Sequence, residues 1–220
     1  MRIFFTSDIH GDYLKMAKLR KVQDVDMIVI NGDIGGKYRV GLREIGALQK
    51  KDAEKLDSVL RQLKIPARYI LGNDDWFEHE SDFYLKEPEI INGIKFIPFE
   101  FVTITPFKTH REANINEIEY QLMQIKDAKD AVIVAHTPPY GYGDKLYNGL
   151  HCGGSEISDW IVWNKPLVWS CGHIHEDYSA YKMAGTNTFI FNSSNREDNN
   201  SLRGWIFDTK TKHYENVFIH

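Results

Sequence analysis

Ile3-Phe4-Phe5-Thr6-Ser7-Asp8-Ile9-His10-Gly11-Asp12 is the stretch around which the chain is organised. An apolar run leads into a polar, glycine-containing turn, the pattern of a buried strand and its exit. The strand ends at Thr6, so Asp8 and His10 sit just beyond its C-terminal edge. Residues two apart in an extended chain point the same way. One carboxylate and one imidazole therefore face a single point. This oxygen and nitrogen pair suits a borderline divalent ion such as manganese, iron, zinc or nickel. Alone, Asp-x-His is more often a polar turn, and only its recurrence along the chain gives it weight.

That recurrence is visible in four further apolar runs. Met27 to Ile30 ends in Asn31-Gly32-Asp33, and Arg68 to Leu71 ends in Gly72-Asn73-Asp74-Asp75. Ala131 to Ala135 ends in His136-Thr137-Pro138-Pro139, and Leu167 to Cys171 ends in Gly172-His173-Ile174-His175. Helices are predicted over Tyr13 to Val22, Asp52 to Leu63, Asn114 to Ala128 and Ser155 to Trp163. In the second, Ala53, Leu56, Leu60 and Leu63 recur at helical spacing before Pro66 stops the pattern. In the third, Ile115, Ile118, Leu122 and Ile125 form one apolar face. Gly93 to Thr105 holds one or two more strands, broken at Pro98 and Pro106. Thr188 to Phe191, Gly204 to Phe207 and Glu215 to Ile219 read as closing strands.

Strands alternating with helices predict an α/β sheet, and in such sheets ligands bind beyond the C-terminal strand ends. The polar exits then converge on one edge. They bring together Asp8, His10, Asp33, Asn73, His136, His173 and His175, more donors than one ion needs. A set with a shared carboxylate suits two ions about 3.5–4 Å apart, which clamp the attacking and leaving oxygens of an in-line phosphoryl displacement.

Composition narrows the class. A chain of 220 residues with 42% hydrophobic residues can bury a substantial core. The net charge of −4 argues against a general electrostatic grip on nucleic acid, though it leaves room for a local basic patch. Cys152 and Cys171 form neither a C-x-x-C pair nor a disulfide framework, which fits a reducing cytoplasm. The apolar stretch at the start is too short for a signal peptide, and no run reaches the length of a membrane span. The sequons at Asn192 and Asn199 then carry no meaning.

The order D-x-H, G-D, G-N, H, G-H-x-H from Asp8 to His175 resembles the calcineurin-like metallophosphoesterases. The resemblance implies two packed mixed β-sheets flanked by helices, an α/β sandwich occupying residues 1–220 as a single domain. It implies that Asp8, His10, Asp33 and His175 hold one divalent metal and that Asp33, Asn73, His136 and His173 hold the other, manganese foremost. It also implies hydrolysis of phosphate esters, phosphodiesters before monoesters, by a metal-bridging hydroxide, with Asn73 and His136 near the phosphate oxygens and a small phosphate ester or nucleotide as substrate. Nuclease, nucleotide pyrophosphatase and non-catalytic metal-binding scaffold are the alternatives on the same residues.

Two positions depart from the family pattern. The motif G-D-x-x-D-R reads Gly32-Asp33-Ile34-Gly35-Gly36-Lys37 here, so the aspartate and arginine that steady that loop are missing. The motif G-N-H-D or G-N-H-E reads Gly72-Asn73-Asp74-Asp75, so Asp74 replaces the usual histidine acid. Neighbouring cations are expected to keep Asp74 charged, which would favour esters with acidic leaving groups. The segment from His136 to Ser155 resembles members related to cyclic-nucleotide phosphodiesterases, and its His151 is a candidate to approach the phosphate. Tyr140 and Tyr142 are candidates to stack on a base or sugar. Lys37, Arg39 and Arg43, and likewise Lys108, His110 and Arg111, read as solvated charge. His79, His213 and His220 join no constellation, and Trp160, Trp163, Trp169 and Trp205 are assigned to the core.

Overall fold

The structure is a computed structural model that describes residues 1–196 and 200–220. In chain order its elements are β1 (Arg2–Thr6), α1 (Tyr13–Lys18), β2 (Met27–Asn31), α2 (Leu42–Leu60), β3 (Ala67–Ile70), β4 (Glu89–Ile91) and β5 (Ile94–Phe99). There follow β6 (Val102–Thr103), β7 (Glu112–Ala113), α3 (Ile115–Gln124), β8 (Val132–Ala135), α4 (Ser155–Asn164) and β9 (Val168–Cys171). The chain closes with β10 (Ser179–Lys182), β11 (Phe189–Asn192), β12 (Leu202–Asp208) and β13 (Tyr214–Ile219).

These strands form two large mixed sheets, ordered β13-β12-β1-β2-β3 and β10-β11-β9-β8-β5-β4. Strand alternation explains how they stack. Ile3, Phe5, Met27, Val29 and Ile70 on the first sheet meet Phe96, Val132, Val134, Val168 and Phe191 on the second. The opposite faces of the same strands, including Phe4, Ile28, Ile30 and Tyr69, pack with Met16, Ala53 and Leu56 of the helices α1 and α2. Ile133, Trp169 and Ile190 do the same with Ile118, Leu122, Ile157 and Ile161 of α3 and α4. The result is a helix–sheet–sheet–helix sandwich, the fold implied by the resemblance. Parallel pairing of β2 with β1 and β3, and of β8 with β5 and β9, sets the polar exits side by side.

Several elements differ from the sequence expectation. Helix α1 stops at Lys18 and gives way to a tighter 3-10 turn over Leu19–Lys21. Helix α2 begins at Leu42, well before Asp52. Its first turns face water and Leu42 is 64% exposed, so they carry no apolar period to read. Helix α3 ends at Gln124 rather than Ala128, and Ile115 is exposed instead of joining the apolar face. A capping box between Asn114 and Glu117 fixes its start. Pro98 does not break its strand, because β4 pairs only with Ile94 to Phe96 and leaves β5 one-sided at the proline. The short strands β4, β7 and β10 have no sequence signal of their own. Asn192 is fully buried, and its amide donates to the Gly143 and Ile174 carbonyls, so this sequon is structural. The sequon at Asn199 lies outside the described residues.

Trp163 is not core but 83% exposed, whereas Phe5 is fully buried and stacks on Phe191 with ring centroids 5.5 Å apart. Phe5→Ala should therefore destabilise by about 3–5 kcal/mol, and Trp163→Ala should stay within about 0.5 kcal/mol. Urea denaturation of both variants checks this; equal losses would mean that the sheet–sheet core does not dominate stability.

Candidate metal centre

The site grows from the strand exits. Asp8, His10, Asp33 and His173 all adopt left-handed backbone, with φ of 57, 47, 51 and 70°. Such conformations are uncommon outside glycine and persist only where the surroundings determine them. Here the Asp8 amide donates to the Gly32 carbonyl (3.1 Å), that of His10 to Asp33 (2.9 Å) and that of Gly11 to Ile34 (2.7 Å). The exits of β1 and β2 are thus zipped together beyond the sheet. The Asp8 carboxylate accepts from the His173 amide at 3.1 Å, and Asp33 accepts from the Asp74 amide at 2.9 Å. Glycine permits the close approach. A Cβ on Gly32 would lie 2.6 Å from the Gly72 nitrogen, and one on Gly172 would strike Ser7 and the Asp8 carboxylate.

Asp8, His10 and His175 offer ligand atoms all within 4.8 Å of one another, and so do Asp8, Asp33 and His136. His175 Nε2 lies 3.1 Å from Asp8 Oδ1, His10 Nε2 lies 3.7 Å from Asp33 Oδ2, and His136 Nε2 lies 3.4 Å from that same oxygen. The His173 ring sits against His136, with centroids 5.2 Å apart, without joining either group. Asn73 and His173 instead line the cavity above, together with Asp33, Asp74 and His175.

Electrostatics explain the need for positive charge. Burial opposes ionisation of Asp8 and Asp33, yet His175 beside Asp8 and His136 beside Asp33 hold both below the usual carboxylate range. Burial also opposes charge on His136, but Asp33 and Asp8 outweigh it and raise that imidazole to about 10. Burial and the neighbouring His136 push His173 down to about 4. Asn73 Oδ1 and His136 Nε2 are buried and find no hydrogen-bond partner among the described residues. Their other ends are engaged. Asn73 Nδ2 donates to Thr109 Oγ1 at 2.7 Å, and His136 Nδ1 donates to the Asn31 carbonyl at 2.6 Å. Buried carboxylates, imidazole nitrogens and an unengaged amide oxygen form a donor set that fits divalent ions.

The missing loop supports have been replaced. Asp75 is fully buried and accepts from the amides of Ile34 (3.2 Å), Gly35 (2.8 Å) and Gly72 (2.8 Å), tying the Asp33 and Asn73 loops together. Asp52 accepts from the Gly36 amide at 3.0 Å and the Tyr38 hydroxyl at 2.7 Å. Arg111 is not solvated charge: it donates to the Gly72 and Asp75 carbonyls at 3.1 and 2.6 Å and pairs with Glu100 at 3.2 Å. Asn31 stitches the sheets beneath the site through Ser170 Oγ (2.6 Å) and Ser193 Oγ (3.0 Å). Asn31 and Asp75 lie in strand exits already singled out and Arg111 in a cluster read as solvated charge, but no spacing marks the supporting role of any of these residues.

Other sequence expectations fare differently. Asp74 is not drawn down by cations; burial and then Asp33 raise it to about 6, with Lys37 opposing. His151 does not line the cavity and is held by buried Asp144 at 2.6 Å. Tyr140 packs on His151 and Tyr142 on Tyr181, and neither lines the cavity. Lys37 lines it, whereas Arg39 and Arg43 do not. His79 is buried and paired with Asp57 at 2.8 Å, away from any ligand group.

Asp75→Ala leaves three buried amides without their acceptor, at about 1–3 kcal/mol each. It should lower both stability and manganese affinity, read by urea denaturation and metal titration; unchanged affinity would mean the clamp does not position the ligands. If His136 is a ligand, an added divalent ion such as manganese has to displace the proton that this imidazole holds up to about pH 10, so binding should release protons and strengthen as pH rises. Calorimetry in two buffers of different ionisation enthalpy measures this at pH 7, and zero release would remove His136 from the ligand set.

Comparison with known proteins gives the arrangement its context. A crystal structure of 16% identity superposes with a TM-score of 0.78, covering 100% of this chain and 99% of the other. TT1561 of Thermus thermophilus, also 16% identical, gives 0.67 with the same coverage. An archaeal phosphodiesterase, 13% identical and covered to 99% on both sides, gives 0.49. At such identities the likeness concerns the fold. No curated protein matches. The family model for calcineurin-like phosphoesterases matches residues 1–177, and the chain belongs to that family.

Proposed function

We propose that this protein is a dinuclear metal-dependent phosphoesterase that acts on phosphodiesters. The observation that carries the reading is the pair of overlapping ligand groups at the strand exits, built on Asp8, Asp33 and the imidazoles of His10, His136 and His175. Asp8, His10, Asp33 and His175 would hold one ion, and Asp33, Asn73, His136 and His173 the other. When bound, such ions lower the pKa of coordinated water towards neutrality and neutralise phosphate oxygens. The protein's own part is to fix these donors, to hold the ester in the cavity and to keep Asp74 there as a carboxyl raised to about 6.

The preference for diesters follows from the charge of the cavity. Asp74 and Glu176 line it along with Lys37 and Arg196. Apart from the ions, these four side chains offer no surplus of positive charge. A diester carries a single negative charge, whereas a monoester carries about 1.5 to 2 at pH 7, so the diester meets less repulsion. The free cysteines Cys152 and Cys171 fit a reducing compartment, and we assign the protein to the cytoplasm.

The test is metal content and hydrolysis of bis(p-nitrophenyl) phosphate after manganese loading. About two ions per chain are expected, and Asp33→Asn should lower both metal content and rate, the latter by at least about 100-fold. His213→Ala, at an exposed position, should leave both unchanged. Loading below half an equivalent, or full activity in Asp33→Asn, would overturn the reading.

A further inference from the structure

The cavity beside the candidate ligands has a volume of about 880 Å³, far more than a phosphate group fills. Its lining is mixed. Charged residues such as Lys37, Glu176 and Arg196 line it, and so do the apolar or aromatic Ile104, Phe107 and Tyr147. Phe107 is 81% exposed, Tyr147 83% and Ile104 68%. Single exposed apolar residues are ordinary, but several lining one cavity beside a metal-type donor set are not.

Both aromatic residues stand on held loops. Glu112 Oε1 accepts from Thr105 Oγ1 (2.5 Å), the Thr109 amide (2.7 Å) and Thr109 Oγ1 (2.6 Å), and the Phe107 amide donates to Thr105 Oγ1 at 3.1 Å. Tyr147 sits on a turn closed by the Leu146 amide on the Leu150 carbonyl (2.9 Å) and the Gly149 amide on the Leu146 carbonyl (2.8 Å). Loops tied in this way hold the backbone from which these side chains project, which lowers the ordering cost of binding against them. Thr109 joins the wall to the centre, since its hydroxyl also accepts from the Asn73 amide.

We propose that Ile104, Phe107 and Tyr147 form a subsite for a planar aromatic ring carried by the ester, as in an aryl or nucleoside phosphodiester. This rests on the phosphodiesterase reading above. The donor set takes the phosphate, the cavity continues directly from it, and ring faces stack on flat π-systems in preference to flexible chains. Phe107 and Tyr147 are specificity residues in this assignment and touch the ring rather than the reacting atoms.

The test compares phenylphosphonate, cyclohexylphosphonate and methylphosphonate by calorimetry on the full-length, manganese-loaded protein. Phenylphosphonate should bind at least tenfold more tightly than methylphosphonate and clearly more tightly than cyclohexylphosphonate. Phe107→Ala and Tyr147→Ala should each remove most of that advantage while leaving methylphosphonate within twofold. Both side chains are largely exposed, so these variants are expected to fold normally. Adenosine monophosphate as a fourth probe separates the two sources of the ring: tighter binding than phenylphosphonate assigns a nucleobase, weaker binding an aryl group. Equal affinity for phenyl and methyl probes, equal affinity for phenyl and cyclohexyl probes, or a preference that survives both substitutions overturns the subsite. In that event hydrolysis of bis(p-nitrophenyl) phosphate still stands or falls by itself. A protein that prefers phenylphosphonate yet hydrolyses no phosphodiester overturns the enzymatic reading and leaves the subsite in place, and binding of none of the phosphonates overturns the subsite while the hydrolysis test alone decides the enzymatic reading.

Discussion

Two carboxylates, Asp8 and Asp33, are enclosed at the seam between the sheets, and their charge dictates what surrounds them. A buried carboxylate is strongly unfavourable unless positive charge and hydrogen-bond donors replace water. Here imidazoles stand within 3.1 to 3.8 Å of these oxygens, and backbone amides supply the remaining contacts. The left-handed exits, the glycines ahead of the ligands and the Asp75 clamp all serve that one requirement. Remove the carboxylates and nothing explains why several adjoining residues hold strained backbone in the same cleft.

The sandwich itself is less demanding. Strands with alternating apolar faces need a layer on each side, and the chain provides helices outside and a second sheet inside. Because β1 runs parallel to β2, and β8 to β9, the exits within each sheet open on the same edge. Chemistry is thereby confined to loops, while the strands below them remain ordinary hydrophobic core. Asn31 departs from that rule, a polar group set between the sheets whose side-chain nitrogen donates to Ser170, Cys171 and Ser193 opposite.

How much could be read from the sequence depends on whether a feature leaves a local pattern. The strand leading to Asp8 did so, because Ile3, Phe4 and Phe5 are buried on both faces. The helical register of Ala53 and Leu56 was equally plain, while the exposed first turns of the same helix were not. Asp75 reaches Ile34 and Gly35 and Arg111 reaches Gly72, all about 40 positions away, so these contacts have no spacing to reveal them. Tyr140 and Tyr142 looked well placed because they are near His136 in sequence, but the aromatic residues that line the cavity, Phe107 and Tyr147, come from loops that carry no periodicity. Asp74 was judged by its expected neighbours, and its real environment, burial and Asp33, shifts it the other way.

The imidazoles of His10 and His175 meet at 3.4 Å although 165 positions separate them in the chain. Contacts of that span form late, after the loop-closure entropy of most of the chain has been overcome. No partial chain lacking β9 and the segment after it contains the assembled centre. The group of Asp8, His10 and His175 is therefore not available to an ion until that late segment is in place, although Asp8, Asp33 and His136 come from earlier in the chain. The influence of an ion at that group falls on the finished molecule, where binding to the native state alone adds stability by mass action. Metal supply would then govern how long each folded copy lasts more than how quickly new copies form.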